Sequence, residues 1–259
     1  MRAAAATELD VVALTDHDTV EGWSQAVSTV DEVGVSLVRG AEISCSVGGI
    51  TVHLLAYLFD PDDRALTELF AATRRSRDSR ARIMVERLSQ DYDISWDDLV
   101  SEMEPGATIG RPHIADALVT RGIVSNRSAA FTELLHPANK YYVHNPSADP
   151  VDVVRMVKSA GGVAVFDHPG ASKRGRVVGP EVIEAMARAG MAGLEVEHRD
   201  HDEKTRERLR ATARDLGLFT TGSSDYHGTG KPNQLGEHLT RPEVLEMIEA
   251  EGRLEVVRP

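Results

Sequence analysis

Two short segments near opposite ends of the chain each place a carboxylate beside an imidazole. The first is Thr-Asp-His-Asp at residues 15–18, and the second is Ser-Asp-Tyr-His at residues 224–227. Each follows a short apolar run, which is where a strand of an α/β barrel presents chemically active side chains. Neutral imidazole and carboxylate together form the ligand mixture that suits zinc, manganese and iron. The two segments therefore predict a metal site.

Three further groups of the same chemical type lie between these segments. Glu42 closes a Gly-Ala-Glu triplet, His53 lies within a strand-like run at residues 51–55, and His168 precedes Pro169. Each of them ends or interrupts an apolar stretch, so each can project from a buried sheet. Hydrolytic enzymes use such groups to bind divalent ions that activate water. We therefore interpret the chain as a metallohydrolase.

Candidate strands and helices alternate along most of the chain, as parallel α/β folds require. The candidate strands are short runs rich in apolar residues, at residues 11–14, 35–38, 51–59, 163–166, 193–196 and 218–221. The intervening helices carry start signals. Asp149 and Pro150 fit an N-cap followed by a first-turn proline, Pro180 opens another helix, and Thr240 with Glu243 resembles a capping box.

Residues 61–145 break this alternation because they contain no convincing central strand. The helices predicted there are a charged one at residues 62–88 and shorter ones after Ser95, at 113–120 and at 125–135. We predict that residues 1–60 and 146–259 form an α/β barrel domain. The segment between them is predicted to form a helical insertion domain.

The composition of the chain excludes several classes of protein. Its 259 residues and 41% hydrophobic content suffice for one α/β barrel with a packed core. The formal net charge of -12 argues against broad attraction to nucleic acid or an anionic membrane, although a small basic pocket could bind phosphate. Cys45 is the only cysteine, which excludes an internal disulfide. No apolar run has the length of a membrane span or signal peptide, so the expected compartment is the cytoplasm.

Five of these motifs occur in the order found in the PHP domain family, named for polymerase and histidinol phosphatase, which the chain resembles. They are residues 14–19, the triplet ending in Glu42, the strand of His53, residues 161–169 and residues 222–227. Gly-Arg-Pro-His-Ile-Ala at residues 110–115 is similar to the free-standing branch of that family that acts on nucleotides. The resemblance covers nearly the whole chain. It implies a distorted (β/α)7 barrel that binds up to three divalent metal ions at its mouth.

One strand of that family has no counterpart here. The family begins with a strand that carries a His-x-His pair, followed closely by an aspartate, whereas this sequence begins inside what corresponds to the first helix. The resemblance therefore implies a barrel that lacks its first strand in this chain. We expect the natural protein to carry roughly 20 further residues that supply this strand, because a strand and its helix need about that length.

The resemblance also implies which metal-binding positions are present. A site with a bridging glutamate and two histidines is complete and corresponds to Glu42, His53 and His168. Two other sites lose ligands with the absent strand: one retains Glu42 and Asp225, and the other retains His17 and His227. The expected ions are manganese, zinc or iron, and these ligand types do not decide between them.

Four more residues receive candidate roles. Arg111 offers a planar pair of donors that suits a phosphate, and His113 in the same helix adds a second contact. Their structural alternatives are a surface salt bridge and a helix cap, but the resemblance favours substrate binding. His198 and His201 follow a predicted strand, so either could act as the catalytic acid that protonates the leaving oxygen. A solvent-exposed loop histidine is an equally good interpretation of each.

Other charged residues are assigned no primary role. Asp16 could orient a metal ligand from behind it, and Asp18 is expected to cap the following helix. Asp167 stands where members of the family often have alanine, and the sequence offers no physical account of it. The arginines between residues 74 and 82 are interpreted as a solvated helix face rather than a phosphate-binding surface.

The predicted function is metal-dependent hydrolysis of phosphomonoesters, in which metal-activated hydroxide attacks phosphorus. The expected partner is a small phosphorylated substrate, a nucleoside 5′-monophosphate or 3′,5′-bisphosphate, since the acidic chain has only 5% aromatic residues on which a polynucleotide could stack. Short oligonucleotides are a further candidate, while no membrane or protein partner is expected. Two alternatives stay open: a histidinol-phosphate phosphatase, and a non-catalytic PHP-like protein that binds a phosphorylated ligand.

Overall fold

The computed structural model describes residues 1–101, 103, 109–144, 147–228 and 232–259. The chain divides into two compact units. Unit 1 comprises Met1–Leu69 and Ala148–Pro259, and unit 2 comprises Phe70–Ser147. In the described residues, the strands all belong to unit 1, and the regular structure of unit 2 is helical.

A six-stranded sheet forms the centre of unit 1. Its strands are β1 (Val11–Leu14), β2 (Ser36–Val47), β3 (Ile50–Tyr57), β4 (Val163–Asp167), β5 (Gly193–Glu197) and β6 (Phe219–Gly222). They lie side by side in chain order and form a curled sheet resembling half of a barrel. The six predicted strands are therefore confirmed, and the fold is mixed α/β.

The strand directions differ from the prediction at β3. The pairs β1–β2, β4–β5 and β5–β6 are parallel, but β3 is antiparallel to both of its neighbours. Gly48 and Gly49 join β2 to β3 with φ angles of 57° and 74°, which fit a tight two-residue hairpin turn. The predicted alternation of strand and helix is therefore wrong at this connection.

Strand β2 extends well beyond the predicted run at residues 35–38. Residues 36–39 pair with β1, whereas residues 40–47 pair with β3. Gly40 lies where the strand changes partner, and a Cβ atom there would lie 2.7 Å from the carbonyl oxygen of Ala56. Because a side chain would force β2 and β3 apart, the glycine permits the pairing that carries Glu42.

The helices include several whose starts the sequence predicts. The α-helices of the described residues are α1 (Arg2–Ala6), α2 (Trp23–Val27), α3 (Val30–Val33), α4 (Arg64–Ser89), α5 (Trp96–Ser101), α6 (Arg111–Thr120), α7 (Arg127–Ala129), α8 (Pro150–Ser159), α9 (Pro180–Ala189), α10 (Glu203–Leu216) and α11 (Pro242–Glu251). A π-helix (Ala130–Leu134) continues α7, and Ser172–Arg174 form a short 3₁₀ helix. The Asp149 carboxylate caps α8 by accepting a hydrogen bond from the Val151 N–H, as predicted. Pro180 opens α9, also as predicted.

The predicted capping box at Thr240 is wrong. Arg241 is the N-cap of α11. The Thr240 hydroxyl instead accepts a hydrogen bond from the Gly222 N–H and donates one to the Gly222 carbonyl oxygen. Thr240 thus anchors the chain to the end of β6 rather than starting the helix.

One face of the sheet has an apolar end and a polar end. Side chains alternate between the two faces of a strand, so residues two apart share a face. The apolar end packs against α11 through Val38, Leu55, Tyr57, Val163, Val165 and Phe219. Two or four residues further along the same face lie the polar groups Glu42, His53, Asp167 and Glu195. A packed apolar layer therefore supports the polar residues, as it does beneath the sites of barrel enzymes.

Unit 2 has its own hydrophobic core. Its buried residues include Met84, Leu88, Leu99, Ile114 and Leu118. Ser95 and Asp98 cap α5 reciprocally, because the Ser95 hydroxyl accepts from the Asp98 N–H and the Asp98 carboxylate accepts from the Ser95 N–H. This cap was predicted from the sequence. Among all the helices described, none is both long and apolar enough to cross a bilayer.

Candidate functional site

Strand register brings polar residues from four neighbouring strands together. His53 on β3 lies directly opposite Ser44 on β2 and Asp167 on β4. Glu42 is two residues before Ser44 and therefore shares its face, while the parallel register of β4 and β5 places Glu195 beside Asp167. Side chains that are opposite or diagonal across paired strands lie within contact distance. The register thus builds one continuous polar cluster.

Glu42 is buried, and three imidazoles surround its carboxylate. Its Oε1 lies 2.6 Å from His53 Nδ1 and 3.9 Å from His168 Nε2, and its Oε2 lies 3.5 Å from His17 Nε2. Burial alone would raise the pKa of Glu42, but His17 and His53 outweigh burial and hold that pKa well below its ordinary value. Glu42 is therefore an anionic ligand with each oxygen directed to a different set of imidazoles.

The chain after β1 runs alongside β2 and places His17 next to Glu42. The Glu42 N–H donates to the Asp16 carbonyl oxygen at 3.1 Å, and the Asp18 N–H donates to the Glu42 carbonyl oxygen at 3.0 Å. His17 and Glu42 consequently form an isolated parallel bridge. The position of His17 is thus fixed by backbone hydrogen bonds on both sides.

The Asp18 side chain ties this segment to β2. It is buried, has a positive φ of 54°, and its carboxylate accepts hydrogen bonds from the Ser44 N–H and hydroxyl at 2.9 and 2.8 Å. The prediction that Asp18 caps the next helix is wrong, since Gly22 is the N-cap of α2.

Burial raises the pKa of Asp16, and the charge of His227 partly opposes that shift.

His168 directly follows β4 with a φ of 31°, which is uncommon for a residue other than glycine. Its backbone N–H donates to the Glu195 carboxylate at 2.9 Å. Its Nε2 lies 3.0 Å from Asp167 Oδ2 and 3.4 Å from His53 Nδ1. Burial lowers the pKa of His168, and the charge of Arg174 lowers it further. The neutral imidazole favoured in this way is the form that binds metal.

The loop after β6 carries Asp225 and His227. His227 Nδ1 lies 3.1 Å from Asp225 Oδ1, and the ring centroids of His227 and His17 are 5.8 Å apart. Asp225 has a φ of 46°, and Asn233 donates to its carbonyl oxygen at 3.1 Å. The guanidinium of Arg174 donates to the Asp225 carboxylate at 2.7 Å. These contacts hold the loop against the polar cluster.

Two groups of side chains can each hold a metal ion. The first is Glu42, His53, Asp167 and His168, and the second is His17, Glu42 and His227; within each group the ligand atoms lie within 4.8 Å of one another. Imidazole nitrogen and carboxylate oxygen are donors that suit divalent ions such as zinc and manganese. Because Glu42 belongs to both groups, its carboxylate can bridge two ions. The donor set therefore fits a metal-dependent enzyme.

His198 lies in the loop after β5 and is fully buried. Its Nδ1 accepts a hydrogen bond from the Asp200 N–H at 3.0 Å, so the neutral ring carries its proton on Nε2. That nitrogen lies 3.7 Å from Asp225 Oδ2 and 3.5 Å from a guanidinium nitrogen of Arg174. The alternative interpretation of His198 as a solvent-exposed loop histidine is therefore wrong.

His201 is also buried, which excludes the exposed-loop interpretation for it as well. Its Nδ1 lies 2.9 Å from the Val196 carbonyl oxygen, and its Nε2 accepts from the Gly170 N–H at 3.1 Å. Burial lowers the pKa of His201. Since both ring nitrogens are engaged by the backbone, His201 would have to break a hydrogen bond before it protonated a leaving group. His198 is the better placed candidate.

Sequence reasoning missed Glu195 and Arg174. Glu195 is buried, and its pKa is raised well above the ordinary value by burial and by the charge of Asp167. A charged residue inside the predicted strand at residues 193–196 was a visible signal for Glu195. Arg174 bonds the Asp200 and Asp225 carboxylates at 2.6 and 2.7 Å, but its turn gave no local signal.

Arg111 and His113 lie at the start of α6 in unit 2. His113 Nδ1 accepts a hydrogen bond from the Gly110 N–H at 3.0 Å, which is the cap contact named as its structural alternative. The Arg111 guanidinium carbon lies 5.4 and 5.6 Å from the ring centroids of Phe131 and Tyr142. Burial lowers the pKa of Arg111. Among the described residues, Arg111 thus contacts two aromatic rings and the Leu135 carbonyl oxygen rather than a carboxylate.

Arg111 shares a pocket within unit 2 with two arginines of α4. Arg77, Arg80 and Arg111 line this pocket together with apolar side chains and Gly110. Burial, together with the charges of Arg111 and Arg77, lowers the pKa of Arg80 to about 10. The interpretation as a solvated helix face is wrong for Arg77 and Arg80, which are half-buried. Three converging guanidinium groups make a site that favours an anion.

Proteins with similar sequences act on phosphate esters. The chain is 30% identical over 258 residues to the 3′,5′-nucleoside bisphosphate phosphatase of Chromobacterium violaceum, covering 99% of this chain and 90% of that protein. It is 29% identical to a 5′-3′ exoribonuclease of Haemophilus influenzae, covering 91% of this chain and 86% of that protein. No family model matches the chain.

The chain is also similar to a solved structure. A protein of Bifidobacterium adolescentis assigned as a metal-dependent phosphoesterase matches with a TM-score of 0.93 and 43% sequence identity, covering 96% of this chain and 88% of that one. The two groups of metal-binding side chains described above agree with that chemistry. The chain therefore belongs to the family of phosphoesterases that includes the nucleoside bisphosphate phosphatase of Chromobacterium violaceum.

Proposed function

We propose that the protein is a metal-dependent phosphoesterase that releases inorganic phosphate from a nucleoside 3′,5′-bisphosphate or 5′-monophosphate. The observation that carries this proposal is that Glu42 belongs to both groups of side chains that can hold a metal ion. Divalent ions at such a centre supply a water of lowered pKa and stabilise the charge that develops on a phosphoryl group. The substrate follows from the name of the Chromobacterium violaceum relative.

The proposed metal ligands are the residues gathered around Glu42. They are His17, Glu42, His53, His168, Asp225 and His227, and the proposed ions are manganese, zinc or iron, up to three of them. Support comes from the short distances between Glu42 and its imidazoles. The contact between Asp225 and His227 supports their inclusion.

We propose His198 as the residue that protonates the leaving oxygen. Its Nδ1 accepts a hydrogen bond from the Asp200 N–H, which leaves Nε2 as the atom that would pass a proton to the leaving oxygen. Nε2 lies close to Asp225, a proposed ligand, and this supports a role beside the reacting phosphate. His201 is retained as a weaker candidate for the same role, because backbone groups engage both of its nitrogens.

We also propose that the curled sheet is part of a distorted (β/α)7 barrel of the PHP type, with residues 61–145 inserted as a helical domain. The polar layer at one end of the sheet, above an apolar layer, supports a barrel site. The separate hydrophobic core of the helices in unit 2 supports the insertion.

A phosphate-release assay with a substrate panel tests the proposed function. Protein loaded with Mn²⁺ is expected to release phosphate from adenosine 3′,5′-bisphosphate or adenosine 5′-monophosphate faster than from histidinol phosphate. Chelator-treated protein is expected to be inactive and to recover when Mn²⁺ is restored. Absence of phosphate release from every member of the panel would favour the non-catalytic binding protein instead.

A second candidate function is the trimming of short RNA. It is favoured by the similarity to the Haemophilus influenzae 5′-3′ exoribonuclease. A 5′-phosphorylated RNA of a few nucleotides distinguishes the two activities, since an exonuclease liberates nucleoside monophosphates whereas a phosphatase liberates inorganic phosphate. Chromatography of the products identifies which reaction is faster.

We propose that Arg111 and His113 bind a phosphate group of the substrate. The Arg111→Ala variant is expected to raise KM for adenosine 3′,5′-bisphosphate by about 10- to 100-fold with a much smaller change in kcat, because a charge-assisted hydrogen bond contributes about 1.5–3 kcal/mol. The matched control is Arg82→Ala, since Arg82 lies on α4 but stacks on Trp96, 3.9 Å from its ring centroid. Steady-state kinetics of both variants provide the test, and equal KM values for the two would contradict it.

A further inference from the structure

Asp167 is a buried carboxylate that the six proposed ligands leave without a role. It ends β4 directly opposite His53 on β3, and only 3% of its surface is exposed. Its Oδ2 lies 3.0 Å from His168 Nε2. Its carboxylate also lies within 4.8 Å of the ligand atoms of Glu42 and His53. The spacing that lets Glu42, His53 and His168 hold a metal ion therefore applies to Asp167 as well.

We propose that Asp167 is a fourth protein ligand to the ion held by Glu42, His53 and His168. The inference rests on the proposed function, because it assumes that an ion occupies this group. Two imidazoles and two carboxylates then coordinate that ion, all from strands β2, β3 and β4 and the residue that follows β4. Four protein ligands complete the tetrahedral coordination that zinc adopts in closed sites.

The electrostatics of the cluster support a cation next to Asp167. Asp167 and Glu42 are both buried, and each offers a carboxylate oxygen within 4.8 Å of the other. Glu195 adds a third buried carboxylate on the same face of the sheet. Burying several carboxylates together is unfavourable unless a cation balances them, and a divalent ion does so most directly. A small apolar residue at position 167 would avoid this cost if no ion were bound beside it.

With Asp167 as a ligand, the two groups differ in the number of protein ligands that they offer to an ion. An ion with four protein ligands has few positions left for water or substrate, so it should be retained tightly. The group of His17, Glu42 and His227 supplies only three ligands among the described residues. The group that contains Asp167 is therefore expected to bind its ion more tightly than the group of three.

The experiment measures metal affinity in the full chain. Metal-free protein is titrated with Zn²⁺ against a competing chelator, for the natural sequence and for Asp167→Ala, Asp167→Asn and Glu195→Gln. Loss of an outer partner of a metal ligand weakens binding by roughly 10- to 100-fold. We expect Asp167→Ala to weaken the tightest site by more than about 100-fold. Glu195→Gln is the matched control. Glu195 accepts a hydrogen bond from the His168 N–H but is not part of the group, so this variant measures the loss expected of an outer partner.

Cobalt absorption gives a second readout that does not depend on activity. Co²⁺ bound to the natural sequence is expected to show the intense visible bands of four-coordinate geometry, and both Asp167 variants are expected to weaken or shift them. Circular dichroism of the metal-free variants establishes that each one folds. The proposal is overturned if the Asp167 variants lose no more affinity than Glu195→Gln, or if their Co²⁺ spectra match that of the natural sequence.

The outcome separates this proposal from the proposed function. If the Asp167 variants lose metal but the natural sequence releases no phosphate from any nucleotide, Asp167 is a ligand and the proposed reaction is wrong. If the natural sequence is an active phosphatase and the Asp167 variants bind Zn²⁺ normally, only the fourth ligand is wrong.

Discussion

Replacing Glu42 with glutamine is expected to lower kcat/KM for adenosine 3′,5′-bisphosphate by about a thousandfold or more, and to remove bound metal. Glu42 belongs to both groups of metal-binding side chains, so its loss affects both. His17 and His53 keep it anionic by holding its pKa low despite burial. Glutamine has nearly the same shape but no charge, so the packing of β2 is expected to survive.

Metal content and kinetics of Glu42→Gln are measured on the same preparation. The control is Glu68→Gln, since Glu68 is an exposed residue of α4 that pairs with Arg64 at the surface. The control should retain the metal content, activity and urea midpoint of the natural sequence. A Glu42→Gln protein that keeps its metal and stays within tenfold of the natural activity would show that Glu42 is not a shared ligand.

The strands of this protein could be predicted because each is a short apolar run between turn residues. The direction in which neighbouring strands pair was less predictable. Gly48 and Gly49 are a local signal for a hairpin, but the prediction of a parallel sheet did not use it. The length of β2 escaped prediction because residues 40–47 become strand through their pairing with β3 rather than through their own composition.

Glu42, His53 and His168 could be proposed as ligands because each interrupts an apolar segment and because the resemblance to the PHP family groups them. Asp167 and Glu195 interrupt such segments too, but their role depends on register. Asp167 contributes to the cluster only because it lies opposite His53, across 114 positions of sequence. A shift of one residue would move a side chain to the other face of the sheet, and local sequence does not specify that choice.

Charged residues that act through long-range contacts were the least predictable. Arg174 reaches Asp225, which is 51 residues away, and nothing in its own turn indicates that contact. Arg77 and Arg80 looked like part of a solvated charge run until the fold of unit 2 placed them in a pocket with Arg111. In each case the surroundings of the side chain come from other elements of the fold.

Replacing His198 with asparagine is expected to lower kcat for adenosine 3′,5′-bisphosphate by about 100- to 10,000-fold, the usual contribution of a general acid. The same variant is expected to hydrolyse p-nitrophenyl phosphate at close to the natural rate. A ribose oxygen is a poor leaving group that needs a proton as the P–O bond breaks, whereas p-nitrophenolate leaves without one. The ratio of the two rates therefore reports proton donation specifically.

The geometry of His198 makes asparagine a suitable replacement. The Asp200 N–H donates to His198 Nδ1 at 3.0 Å, and the side-chain oxygen of asparagine can accept that hydrogen bond in its place. What asparagine lacks is the protonated Nε2 near Asp225. The loop after β5 should thus keep its conformation while the transferable proton is lost.

His201→Asn is the matched comparison, because His201 is buried in the same loop but binds the backbone through both nitrogens. It is expected to lower stability and to reduce the two rates by a similar factor. If His198→Asn also reduces both rates equally, His198 positions Arg174 or Asp225 and does not donate the proton. If His201→Asn alone shows the selective loss on the ribose ester, the catalytic acid is His201, and one of its two backbone hydrogen bonds must open during the reaction.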